Sequence, residues 1–176
     1  WASKGFEEQA TYTSPILFNH NGQKIIVNLT ASSILGINAD NGELLWRFFQ
    51  YQYNKIHANT PLYIDGKVLI ASSDRKDSSG LVMLRLSHDG KEAKVLWRNR
   101  EVINFSGGII LKDSLLYLPA YMQPKWFCVE PETGKIRYTS KELGGGVVIY
   151  ADGLFYCYTE RNGEMALVDA TPDTFK

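Results

Sequence analysis

The sequence carries no surplus charge. Nineteen Lys and Arg offset nineteen Asp and Glu, so no whole-chain field draws nucleic acid or an anionic membrane. No apolar run approaches the roughly eighteen residues that a membrane-spanning helix requires. Cysteine is scarce: Cys128 and Cys157 sit in apolar, strand-like runs and read as buried free thiols, with no spacing that argues for a disulfide. The three histidines, His20, His57 and His88, are too widely separated in sequence to point to one metal. The nearest approach to a calcium loop is the stretch DRKDSSG, where Lys76 stands in place of the second oxygen ligand. There is no Gly-x-Ser-x-Gly elbow and no evident set of Ser, His and acid. Gly144-Gly145-Gly146 precedes a strand-like run rather than a helix, so no helix N-terminus backs it as a phosphate loop; glycines here and at Gly107-Gly108 read as room for crowded backbone. Helical periodicity is also missing, since no 3.6-residue pattern persists for about twelve residues. The chain opens on Trp1 without a basic stretch and apolar core, which reads as a processed product or an excised piece.

What the chain does have is aromatics, with ten Tyr, eight Phe and four Trp, and a repeat. Four segments share one plan: SPILFNHNGQKIIVNLTA, TPLYIDGKVLIASS, GGIILKDSLLYLPAY and GGVVIYADGLFYCYT. Each has two apolar runs around a turn at Asn21-Gly22, Asp65-Gly66, Asp113-Ser114 or Asp152-Gly153. Such a pair between apolar runs is a strong hairpin signal, because both central residues of a type I′ turn need φ > 0. A third run follows each hairpin (SSILGIN, LVMLRL, KWFCVE and EMALVD), and a fourth follows three of them (ELLWRFF, AKVLWRN and KIRYTS). Four short antiparallel strands recurring every 39 to 48 residues predict an all-β fold, a β-propeller of four-stranded blades.

The eleven-residue frames GINADNGELLW and CVEPETGKIRY align Gly42 with Gly134 and Trp46 with Tyr138; RLSHDGKEAKVLW carries Gly90 and Trp97 with three extra residues between them. The glycine lets the third strand turn into the fourth. The aromatic is expected to lie flat between adjacent blades and bury on the order of 200 Å², so these six residues read as structural blade docking. Trp46 precedes Pro61 by fifteen residues and Trp1 precedes Pro15 by fourteen, so Trp1 reads as the outer-strand tryptophan of a preceding blade. The expected divisions are 1–13 (outer strand), 14–52, 53–102 and 103–142 (blades) and 143–176 (incomplete blade). Pairing of the first segment with the last three strands would close a four-bladed ring; the alternative is part of a larger ring, the rest supplied by further polypeptide or a second copy.

These frames resemble the docking motif Ala-x-Asp-x-x-Thr-Gly-Lys-x-x-Trp of the quinoprotein-like β-propeller family. The match runs through Glu130, Thr133, Gly134 and Lys135, with Tyr138 in the Trp place. The resemblance implies a bacterial propeller of about seven or eight blades, exported to the periplasm or outer membrane. The family includes both pyrroloquinoline-quinone alcohol dehydrogenases and non-enzymatic assembly lipoproteins. The dehydrogenases pair a calcium site with, in many members, adjacent cysteines over the quinone, and this sequence has no Cys-Cys pair.

Function on such scaffolds sits on loops. Loops leading into each blade and those between second and third strands gather on one face, where the candidate binding residues are Tyr51, Tyr53, His57, Arg75, Trp126 and Arg161. Aromatic and cationic groups of this kind suit recognition of a peptide, sugar or quinone. The expectation is a non-catalytic binding or scaffold module for a protein or carbohydrate partner, with no catalytic residue, metal or cofactor of its own. The alternatives are a quinone- and calcium-dependent dehydrogenase, or a fragment of one, and a purely structural repeat of a larger envelope protein.

Overall fold

The computed structural model describes residues 1–50, 56–72 and 80–175. Among the described residues there is no helix, and fifteen strands form four antiparallel sheets. The first sheet is β1 (Ile16–His20), β2 (Gln23–Leu29), β3 (Ser33–Asn38) and β4 (Leu44–Phe49). The second is β5 (Leu62–Ile64), β6 (Lys67–Ser72), β7 (Gly80–Leu86) and β8 (Ala93–Asn99). The third is β9 (Ile110–Lys112), β10 (Leu115–Pro119), β11 (Trp126–Val129) and β12 (Ile136–Ser140). The fourth has three strands: β13 (Gly146–Ala151), β14 (Leu154–Thr159) and β15 (Met165–Val168). In every sheet the strands lie in chain order, the meander of a propeller blade.

The hairpin turns have the backbone that their sequences demand. Asn21, Asp65, Asp113 and Asp152 stand at φ of 50°, 42°, 49° and 51°, each followed by a second residue at positive φ. Two such residues in succession give the twist that matches the flanking strands. Register then follows, as in Phe18 opposite Ile25 and Tyr63 opposite Val68.

Packing uses the two-residue period of the strands. In the second sheet Val68, Ile70, Val82 and Leu84 turn towards the first sheet and join Ile25, Val27, Leu29 and Ile34. The intervening Leu69, Ala71, Leu81 and Met83 turn towards the third sheet and meet Leu116, Leu118, Phe127 and Val129. The other face of the third sheet offers Leu115, Tyr117, Trp126 and Cys128 to Val148, Phe155, Cys157 and Val168 of the fourth. Three cores therefore lie between consecutive sheets, and the two middle sheets are apolar on both faces. That explains why β6, β7, β10 and β11 lack the apolar-polar alternation of a half-exposed strand.

Residues 1–13, expected as an outer strand, carry no strand. Their backbone bonds to loops instead: Ala31 donates to the Gln9 carbonyl and Tyr12 donates to the His57 carbonyl, both at 3.0 Å. They strap the first sheet, where the Glu8 carboxylate accepts from the Ser33 hydroxyl at 2.7 Å and the Thr30 hydroxyl at 2.9 Å. They do not pair with β15, so the four sheets are not closed by that route.

Both cysteines are buried free thiols. Burial pushes the Cys157 thiol up to about 12. Burial raises Cys128 as well. Native protein at pH 8 is expected to leave both thiols unreacted with Ellman's reagent, and guanidinium to release two. Because an unfolded thiol ionises near 8.5 and these do not, stability should fall as pH rises above about 9. In urea, Leu116→Ala at the fully buried junction of sheets two and three should cost about 2–5 kcal/mol. Leu17→Ala, at 65% exposure, should stay within about 0.5 kcal/mol.

Candidate functional site

The loop face is built by one repeated hydrogen bond. A residue one or two positions past the second strand donates to the loop leading into its own sheet: Ala31 to Gln9, Tyr121 to Ile103 (2.8 Å) and Glu160 to Gly145 (3.3 Å). Buried amides reinforce this layer. Asn59 donates to the Asn104 side-chain carbonyl, and Asn104 donates to the Pro119 carbonyl at 2.7 Å.

Between the third and fourth sheets these loops leave a cleft of about 290 Å³. One wall is Tyr121, Met122, Gln123 and Pro124, the opposite rim is Glu160 and Arg161, and Gly144 to Gly146 form the lining between them. Tyr121 is braced by Phe105, with ring centroids 4.9 Å apart. Met122 holds a positive φ of 53° and is 78% exposed, an uncommon conformation for a non-glycine residue. A Cβ on Gly145 would stand 2.8 Å from the carbonyl oxygens of Ala120 and Gln123, so the glycine allows the two loops their close approach. Below it, the Trp126 indole donates to the Gly144 carbonyl at 3.0 Å.

Of the candidate binding residues, Arg161 alone among those described is exposed at this cleft. Trp126 is 1% exposed, which corrects its assignment to the loop surface. It opens β11 on the parity of Cys128, so its ring points into the core and stacks on Phe175 at 4.9 Å. His57 is also 1% exposed and is likewise no surface group. Its backbone is fixed by Thr11, whose hydroxyl accepts from the His57 amide at 2.6 Å. Tyr51, Tyr53 and Arg75 lie outside the described residues. From the loop Tyr121–Trp126, sequence reasoning chose Trp126 and passed over Tyr121, Met122 and Pro124, which line the cleft; the signal available was an aromatic and a methionine just before a strand-breaking proline.

The glycine–aromatic frames show two geometries. The Trp97 ring of the second sheet lies on Gly134 of the third, with Cδ2 2.7 Å from where a Cβ would stand. Its indole donates to the Pro131 carbonyl at 2.8 Å, and Asn99 donates to the Gly134 carbonyl at 2.7 Å. Lys67 adds a 2.5 Å ion pair to Glu132 of the same turn. Trp1 repeats this arrangement on Gly42, donating to the Ala39 carbonyl at 3.0 Å while Ser3 donates to the Gly42 carbonyl at 2.7 Å. Tyr138 reaches the next sheet through its hydroxyl, which donates within 2.9 Å of the Thr171 and Thr174 carbonyls.

Trp46 is buried in the core between the first and second sheets, but its ring does not lie over Gly90 as Trp97 lies over Gly134. Its cross-strand neighbour is Gly36, whereas Trp97 faces Met83. With no side chain beneath it, the Trp46 ring folds back over Gly36, and among the described residues its indole nitrogen has no hydrogen-bond partner. The position over Gly90 is taken by Ile25 and His20. His20 Nε2 donates to the Ser87 carbonyl at 2.8 Å, and Asn21 donates to the His88 carbonyl at 2.9 Å. In the neutral ring, His20 Nδ1 accepts from the Tyr63 hydroxyl at 3.1 Å.

Among the described residues no group of three or more His, Cys, Asp or Glu could hold a metal ion, and no helix is long and apolar enough to cross a membrane. The stretch DRKDSSG lies, apart from Gly80, outside the described residues, and both thiols lie inside the sheet cores.

The family described as outer membrane protein assembly factor BamB matches residues 1–140. A comparison with curated proteins finds no match. Among solved structures, the Myceliophteria thermophila Cps50 (Swd1) β-propeller domain superposes with a TM-score of 0.61 at 13% identity, over 92% of this chain and 51% of that one. The quinohemoprotein alcohol dehydrogenase ADHIIG of Pseudomonas putida HK5 gives 0.58 at 13% identity, over 92% and 29%. That of Comamonas testosteroni gives 0.55 at 12% identity, over 76% and 21%. These likenesses establish the β-propeller fold, and the chain spans about half or less of each of these structures.

Removing the inter-sheet tryptophan should separate its two versions. Trp97→Ala is expected to cost about 3 kcal/mol in urea unfolding. Trp1→Ala, at 64% exposure, should cost under about 1 kcal/mol.

Proposed function

From the premise that this chain belongs to the outer membrane protein assembly factor BamB family, we propose that it is a non-catalytic binding module. Its loop face takes an extended segment of a protein partner, in the bacterial periplasm or at the outer membrane. The observation that carries this reading is the cleft between the third and fourth sheets. It combines an apolar wall, a glycine-backbone surface and two opposite charges on one rim. That combination suits a peptide: an apolar side chain between Met122, Pro124 and the glycines, with the peptide's own polar groups facing Glu160 and Arg161. A preformed cleft limits the ordering cost of binding, and the strained Met122 backbone is consistent with a functional display. The four sheets are then part of a ring of about seven or eight blades. The alcohol dehydrogenases among the structural neighbours share the fold, and no described residue constellation favours their chemistry here.

The test is selection of displayed peptides on the protein, with a glycan array run in parallel. Peptides should be enriched on the wild type and lose at least about tenfold in affinity, roughly 1.4 kcal/mol, on Met122→Asp and Arg161→Glu. Both positions are exposed, so folding should survive. Enrichment of glycans alone, or peptide binding indifferent to both variants, would overturn the reading.

A further inference from the structure

Sulfur in this chain is divided between the sheet cores and the surface. Cys128, Cys157 and Met83 are each 0% exposed and lie in the packing between sheets. Burial also holds both thiols in the protonated form near neutral pH, and peroxides attack the thiolate. Met122 and Met165 are 78% and 72% exposed, on different surfaces. Met165 shares the parity of Leu167 on β15, opposite to that of Val168, which packs towards the third sheet, and it lines no part of the cleft. Met122 is in the cleft wall.

The position of Met122 is fixed by its loop. Its φ of 53° is uncommon for a residue with a Cβ, and main-chain bonds pin the chain on either side of that kink. Tyr121 donates to the Ile103 carbonyl and Lys125 to the Gln123 carbonyl, both at 2.8 Å, and Ala120 donates to the Lys125 carbonyl at 2.9 Å. The thioether thus belongs to the apolar wall with Tyr121 and Pro124, across from Glu160 and Arg161. A thioether is a soft apolar group that adapts to varied partners. Its oxidation gives a polar, chiral sulfoxide.

We propose that Met122 is a redox modification site, and that its oxidation by hydrogen peroxide weakens peptide binding at the loop face. The inference rests on the peptide reading of the cleft and adds its regulation. A sulfur lone pair attacks one peroxide oxygen, and the S–O bond forms as the O–O bond breaks. The departing hydroxide takes the proton left on the transferred oxygen and leaves as water. Sulfur is oxidised and peroxide is reduced. Reversal uses two thiols of a sulfoxide reductase, which become a disulfide while the oxygen leaves as water. In the oxidised cleft a hydrogen-bond acceptor stands where the peptide's apolar side chain packs, and docking that side chain strips water from it. The main-chain bonds around residue 122 do not involve the sulfur, so the fold persists. With Cys128, Cys157 and Met83 enclosed, peroxide reaches the cleft before it reaches a core.

Graded hydrogen peroxide on the folded protein tests this, with peptides selected on the untreated wild type as probes. Mass spectrometry of proteolytic fragments reads oxygen uptake at each methionine. Met122 should gain one oxygen while Met83 gains none. Affinity should fall by about tenfold in step with Met122 oxidation, with the β-sheet circular dichroism unchanged. Sulfoxide reductases for both epimers should restore it. Met165→Leu should lose affinity under peroxide as the wild type does. Met122→Leu has no sulfur to oxidise and, whatever its own affinity, should hold that value through the treatment. Met165→Leu and the restoration carry the test even where Met122→Leu binds too weakly to follow. Oxidised wild type that binds as tightly as untreated, or a loss that disappears in Met165→Leu, would overturn the switch and leave the peptide reading standing. An untreated protein that selects no peptide would overturn both.

Discussion

The fold depends on apolar contact between the faces of consecutive sheets. A four-stranded sheet of short strands buries little by itself; its stability comes from the sheet on either side. The two-residue period divides each middle strand between two cores, as when Val68 and Ile70 serve the first sheet while Leu69 and Ala71 serve the third. The turns and frames set where these faces stand, and the faces supply the free energy.

Within that scheme the junctions are locally negotiable. The third sheet's turn is held by Trp97, Asn99 and Lys67. The second sheet's turn is held by His20 and Asn21, from a different hairpin. The exchange follows from one side chain. Opposite Met83 an indole is held out over the next sheet, and opposite Gly36 it folds back onto its own. The loop face inherits the same rigidity, since its cleft is walled by loops pinned to inward strands through repeated backbone bonds.

Much of the fold was legible because it is written in local backbone chemistry. Asn21-Gly22 and Asp152-Gly153 admit few conformations other than a tight hairpin turn, and their spacing gives the blades. The site was harder to read. Trp126 and His57 were expected on the loop face because they border loops, yet the direction of a side chain is set by strand parity and neighbouring packing. A residue at the first position of β11 belongs to the core if Cys128 does. That the buried Trp46 ring lies over Gly36 rather than Gly90 follows from the glycine opposite it, which is known only once the register is. The cleft itself joins loops about forty residues apart in sequence, and no single stretch announces it.

Native-state hydrogen exchange tests the central dependence on paired sheet faces most directly. Amides of β6, β7, β10 and β11, covered on both faces, should exchange slowest and only through global unfolding. Those of β1 and of the strapping residues 1–13 should open earlier. If β6 or β10 exchanged as fast as β1, or each sheet opened independently of its neighbours, the account of mutual face-to-face stabilisation would be contradicted.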